Sequence, residues 1–250
     1  IFSKIKKMTK TKTFGHCVVE LVKGTDDVYF LKLNGDENKF NPVNIKNIND
    51  ALDYIEKIEE ASCLITVGTN QKFYSTGLDL DWMLQAPVEE KRSFIGSFHK
   101  LLGRFLTFPM PTIAILNGHT YAGGAMLASA HDFRLMRKDR GFYCLPEVDI
   151  HIPLTPGMNA ILQAKISDSA TYRDAVLRGM KFSGNECVKH KIVDAALEES
   201  ELVPHALELA SKVAPKGKDR DTFGGLKREM YKHPFAVLQL PTLGESEKLL

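Results

Sequence analysis

No apolar stretch of this chain comes near the ~20 residues that a membrane-spanning helix needs, so a span of that kind is excluded. A surplus of one charge is missing as well. Lysine and arginine total 33 against 31 aspartates and glutamates, a formal net charge of +2. So balanced a chain lacks the basic field that a nucleic-acid partner calls for. Cysteine is scarce: Cys17, Cys63, Cys144 and Cys187 lie far apart, with no C-x-x-C pair. That spacing gives no support to a thiolate metal site. Three of the four sit in apolar runs and are expected to pack as small hydrophobes, in a reducing intracellular compartment. Internal repeats, low-complexity blocks and long linkers are also absent.

What is present is the composition of a soluble globular protein, with 44% hydrophobic and 26% charged residues among 250. That length suffices for one large domain or two small ones. The first twelve residues carry Lys4, Lys6, Lys7, Lys10 and Lys12 and no acid, so a disordered basic tail is expected over 1–15. Residues 16–197 read as an α/β core, and 198–250 as a helical region that packs on a neighbour. Cys17 to Val22 and Val28 to Leu33 pattern as a hairpin around Gly24-Thr25-Asp26-Asp27. Asn41-Pro42 opens a helix with Ile45, Ile48, Leu52 and Ile55 at helical spacing. Further strands are expected at 63–67, 112–116, 133–136, 141–144 and 192–193. Further helices are expected at 88–106, 156–166, 168–177, 199–213 and 222–231. Ser183 and Glu186, three apart, make a capping box. Strands alternating with helices mean an α/β fold.

Two segments carry the chemistry. One is Phe73-Tyr74-Ser75-Thr76-Gly77-Leu78-Asp79-Leu80, the other Asn117-Gly118-His119-Thr120-Tyr121-Ala122-Gly123-Gly124-Ala125-Met126. Each follows an apolar run that reads as a strand, and each places glycine where backbone must approach something closely. The second opens a helix, whose first N–H groups have no intrahelical acceptor. Two such sources of N–H can hold a negatively charged oxygen. Taken singly, each glycine is equally a turn or close-packing residue. Together they sit beyond the carboxyl ends of parallel-type strands, where ligands collect.

The pair resembles the oxyanion-hole signature of the enoyl-CoA hydratase/isomerase (crotonase) family, from about Val18 to about Leu197. The first motif matches with one inserted residue, Tyr74. In the second, Ala122 replaces the first glycine of a triplet. The resemblance implies a crotonase-like spiral of ββα units with a C-terminal helical extension. It implies backbone donors at Leu78 and Gly123, and an acyl-CoA bordered by Thr76, Gly77, Leu78, Asp79, Leu80, Gly123 and Met126. Coenzyme A would be part of the substrate, with no metal or redox cofactor. A homotrimer or dimer of trimers is implied, assembled through 198–250. Peroxisome is the favoured compartment and mitochondrion the alternative, although Glu247-Lys248-Leu249-Leu250 is not an S-K-L signal.

Acids select among the family's reactions. Where the hydratases carry a first glutamate, this chain has Met126; where they carry a second, Pro146-Glu147 matches; a third family site, an aspartate in dienoyl isomerases, holds Thr155. Glu147 between Leu145 and Val148 could be an ordinary solvated glutamate, but it falls on the matched motif. One carboxylate beside an oxyanion hole suits moving a proton from C2 to C4 of a 3-enoyl thioester, with no water added. The run Glu147-Val148-Asp149-Ile150 is also similar to plant-type Δ3,Δ2-enoyl-CoA isomerases. The alternatives are a hydratase, an acyl-CoA hydrolase, or a silent acyl-CoA-binding protein of the same fold. Asp149, His119 and His151 read as structural, and Asp79 as a helix cap. Lys227 is a candidate contact for a CoA phosphate, or else an exposed helix lysine.

Overall fold

The computed structural model describes residues 11–249. In chain order it runs β1 (Thr11–Phe14), β2 (Cys17–Leu21), β3 (Val28–Leu33), α1 (Pro42–Glu56), β4 (Cys63–Gly68), β5 (Phe73–Ser75) and α2 (Leu80–Gln85). Next come α3 (Val88–Leu106), β6 (Thr112–Leu116), β7 (His119–Tyr121), α4 (Gly123–Ala130), β8 (Phe133–Arg137) and β9 (Tyr143–Cys144). The rest is mainly helical: α5 (Pro156–Lys165), α6 (Ser169–Leu177), α7 (Gly184–Lys189), β10 (Ala195–Leu197), α8 (Glu199–Val213), α9 (Arg220–Met230) and α10 (Lys232–Leu238).

Strands buried on both faces read as unbroken apolar runs, and such runs build parallel sheets. The main sheet has the order β1-β2-β3-β4-β6-β8-β10, antiparallel through β3 and parallel from there on. Alternate side chains leave on opposite faces. Leu31, Leu33, Leu64, Ala114 and Leu116 pack with Ile48 and Leu52 of α1 and Phe98 and Leu102 of α3. Val28, Ile65, Ile113, Ile115 and Leu135 pack instead with Leu202, Ala206 and Ala210 of α8. This helix of the 198–250 region therefore covers its own chain's sheet.

A second sheet, β5-β7-β9, is parallel and short. It stands on the loops that leave β4 and β6, so it carries both glycine motifs to one place. Periodicity predicts neither β5 nor β7. Other corrections are local. Residues 11–14, expected in a disordered tail, pair with β2 from Thr11↔Glu20 to Phe14↔Cys17; residues 1–10 lie outside the described residues. Ile192-Val193, expected as a strand, is a bend, and the strand follows at Ala195–Leu197. The Ser183/Glu186 capping box forms as expected. All four cysteines are buried and unpaired. Burial pushes the thiols of Cys17 and Cys63 up to about 12 and that of Cys144 to about 11.

Candidate active site

Tyr74, the extra residue of the first motif, is a β-bulge. Phe73 pairs with His119 and Ser75 with Thr120, so two residues of β5 span one step of β7. The Tyr74 side chain turns inward, fully buried, and its hydroxyl lies 3.0 Å from Thr66 Oγ1. The bulge so lets a bulky side chain fill the core without disturbing the glycine turn that follows. Ser75 Oγ donates to Asn38 O (2.8 Å) and accepts from Gly77 N (3.1 Å). Gly77 then takes φ +93°, a conformation that disfavours a side chain.

Chain leaving this turn passes Phe40. Phe40 N donates to Gly77 O and Asp79 N donates to Phe40 O, each at 2.8 Å. That pairing skips the Leu78 amide. Asp79 caps α2 through Trp82 N (3.2 Å), as its sequence position predicts. On the other segment, Gly123 is the first residue of α4, so its N–H has no acceptor within the helix. The two segments nearly touch. A Cβ on Gly77 would stand 2.6 Å from Gly123 N, and one on Gly123 would stand 3.4 Å from Leu78 N. Two backbone donors with no acceptor among the described residues are thereby brought side by side.

Ala122 pays for this approach with strain, at φ 49° and ψ −123°. Such a conformation costs an alanine on the order of 1–3 kcal/mol. Glycine there gives up ~0.5–1 kcal/mol more chain entropy on folding. Ala122→Gly should therefore stabilise the protein by about 1 kcal/mol, read as a higher urea midpoint at unchanged slope. A lower midpoint would contradict the strain.

Leu78 and Gly123 line a cavity of about 470 Å³ together with Thr76, Leu80, Met126, Glu147 and Thr155. Gly77 and Asp79, also expected at the substrate, do not line it: one shapes the turn and the other caps α2. Glu147 sits in a single 3-10 turn, Pro146–Val148, that leads out of β9. Its residue is 8% exposed, and among the described residues its Oε2 atom is buried without a hydrogen-bond partner. Burial raises its carboxyl from 4.5 to about 7. A buried carboxylate oxygen without a partner is costly, and such groups cluster at functional sites. Met126, 2% exposed, adds an apolar wall.

The family model for enoyl-CoA hydratase/isomerase matches residues 24–245. The chain belongs to the enoyl-CoA hydratase/isomerase family. Among its relatives, "Enoyl-CoA delta isomerase 2, peroxisomal" of Arabidopsis thaliana is 34% identical, over 86% of this chain and 93% of that protein. "Enoyl-CoA delta isomerase 3" of the same plant is 35% identical, over 82% and 89%. The enoyl-CoA hydratase EchA3 of Mycobacterium ulcerans superposes with a TM-score of 0.80 at 19% identity, over 90% of this chain and 95% of that one. The architecture is thus the crotonase fold that the glycine motifs imply.

Lys227 departs from the sequence reading. Lys227 is no phosphate contact: it is 5% exposed and its Nζ lies 2.8 Å from Asp132. Asp149 is exposed, in the turn that follows Glu147. His119 packs among Phe73, Tyr121 and Phe142. His151 lies at φ 58° on an outer groove of about 810 Å³. His99 was not anticipated. It is 1% exposed, and its Nε2 lies 2.7 Å from the Thr155 hydroxyl, which also caps α5. A lone histidine among the phenylalanines and leucines of α3 was its only trace in the sequence. Burial lowers its pKa to about 4, so it is neutral at physiological pH.

Proposed function

We propose that this protein is a Δ3,Δ2-enoyl-CoA isomerase of unsaturated fatty-acid oxidation. The observation that carries the reading is the buried carboxylate of Glu147, its Oε2 without a hydrogen-bond partner among the described residues, in a cavity shared with the Leu78 and Gly123 amides. In the reaction, carboxylate Glu147 takes a proton from C2 of the 3-enoyl thioester. The electron pair moves onto the thioester oxygen, which the two N–H groups hold as a dienolate. The resulting carboxylic acid then delivers the same proton to C4, and the double bond settles between C2 and C3. Nothing is gained or lost, and Glu147 ends as it began. Its raised pKa suits both halves of the cycle, because an acid that titrates near 7 gives and takes protons readily at that pH.

Met126 supports isomerase over hydratase, since a thioether cannot hold or activate water as a second carboxylate would. The plant relatives named as enoyl-CoA delta isomerases favour the same choice, and two of them are named peroxisomal. Peroxisomal location and a homotrimer belong to this reading. Its test is a spectrophotometric comparison of 3-hexenoyl-CoA with trans-2-hexenoyl-CoA. Isomerisation of the first should far outrun hydration of the second. Hydration at a matching rate would make the protein a hydratase.

A further inference from the structure

The cavity around Glu147 is closed on its far side by a thin strap. After α10 the chain forms this side of the cavity over residues 241–247. Leu243 and Ser246 line the 470 Å³ cavity, whereas Gly244 and Glu245 line the outer groove of 810 Å³. The strap is therefore a partition one residue thick, with the reaction cavity on one side and an open groove on the other. Glu147, Ile152, Pro153 and Leu154 line both spaces and complete the partition, so Glu147 borders the outer groove as well.

Polar ties hold the strap. The Ser246 hydroxyl donates to Pro153 O, and Arg92 of α3 pairs with Glu247. Arg92 and Glu247 are 43% and 44% exposed, so water and salt weaken their attraction. Gly244 turns the strap at φ +59°. Leu243 is nonetheless 4% exposed, packed inward as a plug.

We propose that this strap sets acyl-chain length: Leu243 is the stop against which the acyl tail ends, and the Arg92–Glu247 pair is a weak latch that keeps it there. Displacing the strap would join the cavity to the outer groove and give a longer tail somewhere apolar to lie, against Val176 and Leu177. Only the nature of the occupant, an acyl thioester, rests on the isomerase reading.

The probes are saturated hexanoyl-CoA and dodecanoyl-CoA, whose binding is measured by calorimetry and needs no turnover. Leu243→Ala and Arg92→Glu should each shift the dodecanoyl-to-hexanoyl affinity ratio toward the longer chain by at least fivefold. The charge swap, Arg92→Glu with Glu247→Arg, should return the ratio to that of the wild type. Circular dichroism checks that each variant is folded. A smaller shift in Arg92→Glu, an exposed position that tolerates substitution, would overturn the latch. An unmoved ratio in folded Leu243→Ala would overturn the stop. Were the ratio to shift as stated while 3-hexenoyl-CoA is not isomerised, the strap would stand and the isomerase reading would fall.

Discussion

Glu147→Gln should lose about a thousandfold in kcat for 3-enoyl-CoA, the scale on which a positioned acid–base group acts, while still binding acyl-CoA. The amide keeps the shape of the carboxylate but cannot take the C2 proton. A second effect goes the opposite way. The folded carboxyl titrates at about 7 rather than 4.5, so the unfolded chain ionises first as pH rises. The cost to stability is absent below pH 4.5, grows between there and about 7, and is complete above that. The gap corresponds to on the order of 3 kcal/mol. Glu147→Gln should therefore unfold at higher temperature than wild type at pH 8, and at the same temperature at pH 4. Wild-type kcat should rise with pH toward a plateau above about 7 as the carboxylate forms. Near-normal turnover in the variant would remove Glu147 from the mechanism. Equal stability at pH 8 would mean that its burial costs nothing.

Gly123→Val should be nearly as damaging without touching an acid or a base. A Cβ at Gly123 stands 3.1 Å from Phe98 Cζ, 3.3 Å from Gly77 Cα and 3.4 Å from Leu78 N. Two further methyl carbons have no room on that side, since Phe98 is fully buried. They push the Gly77-Leu78 segment and Gly123 apart. Loss of one oxyanion donor costs about 10²–10³ in kcat, and a shift of ~1 Å costs on the order of a hundredfold. The expected loss is thus at least a hundredfold, with a far-ultraviolet circular dichroism spectrum like that of wild type. A folded, fully active Gly123→Val would place the oxyanion elsewhere.

Much of the fold was legible because its central elements are long and regular. β6 carries the apolar run Ile113-Ala114-Ile115-Leu116 just before Asn117-Gly118, and α3 repeats Phe94, Phe98, Leu101, Leu102 and Phe105 on one face. The glycine motifs were legible for another reason: close backbone approach restricts the residue more than packing does. The illegible parts are short or depend on distant partners. β5 and β7 are three residues each, too brief for alternation to register, and they exist only beside each other and β9. Ile192-Val193 is apolar enough for a strand, yet Ile192 O is spent on Arg134 Nε, and the alanines that follow pair with β8. Tertiary context overrode propensity there. Lys227 finds Asp132, 95 residues away, and no local pattern announces such a pair. The Thr155–His99 contact, 56 residues apart, was hidden in the same way.

The four buried cysteines give the molecule a built-in gauge of its own opening. Peroxide and alkylating reagents attack the thiolate. A thiol titrating at about 12, as in Cys17 and Cys63, is ionised in only about one molecule in 10⁵ at pH 7, where a free cysteine is ionised in a few per cent. The folded chain should thus be almost silent to such reagents, and its labelling rate should count excursions in which the core lets water in.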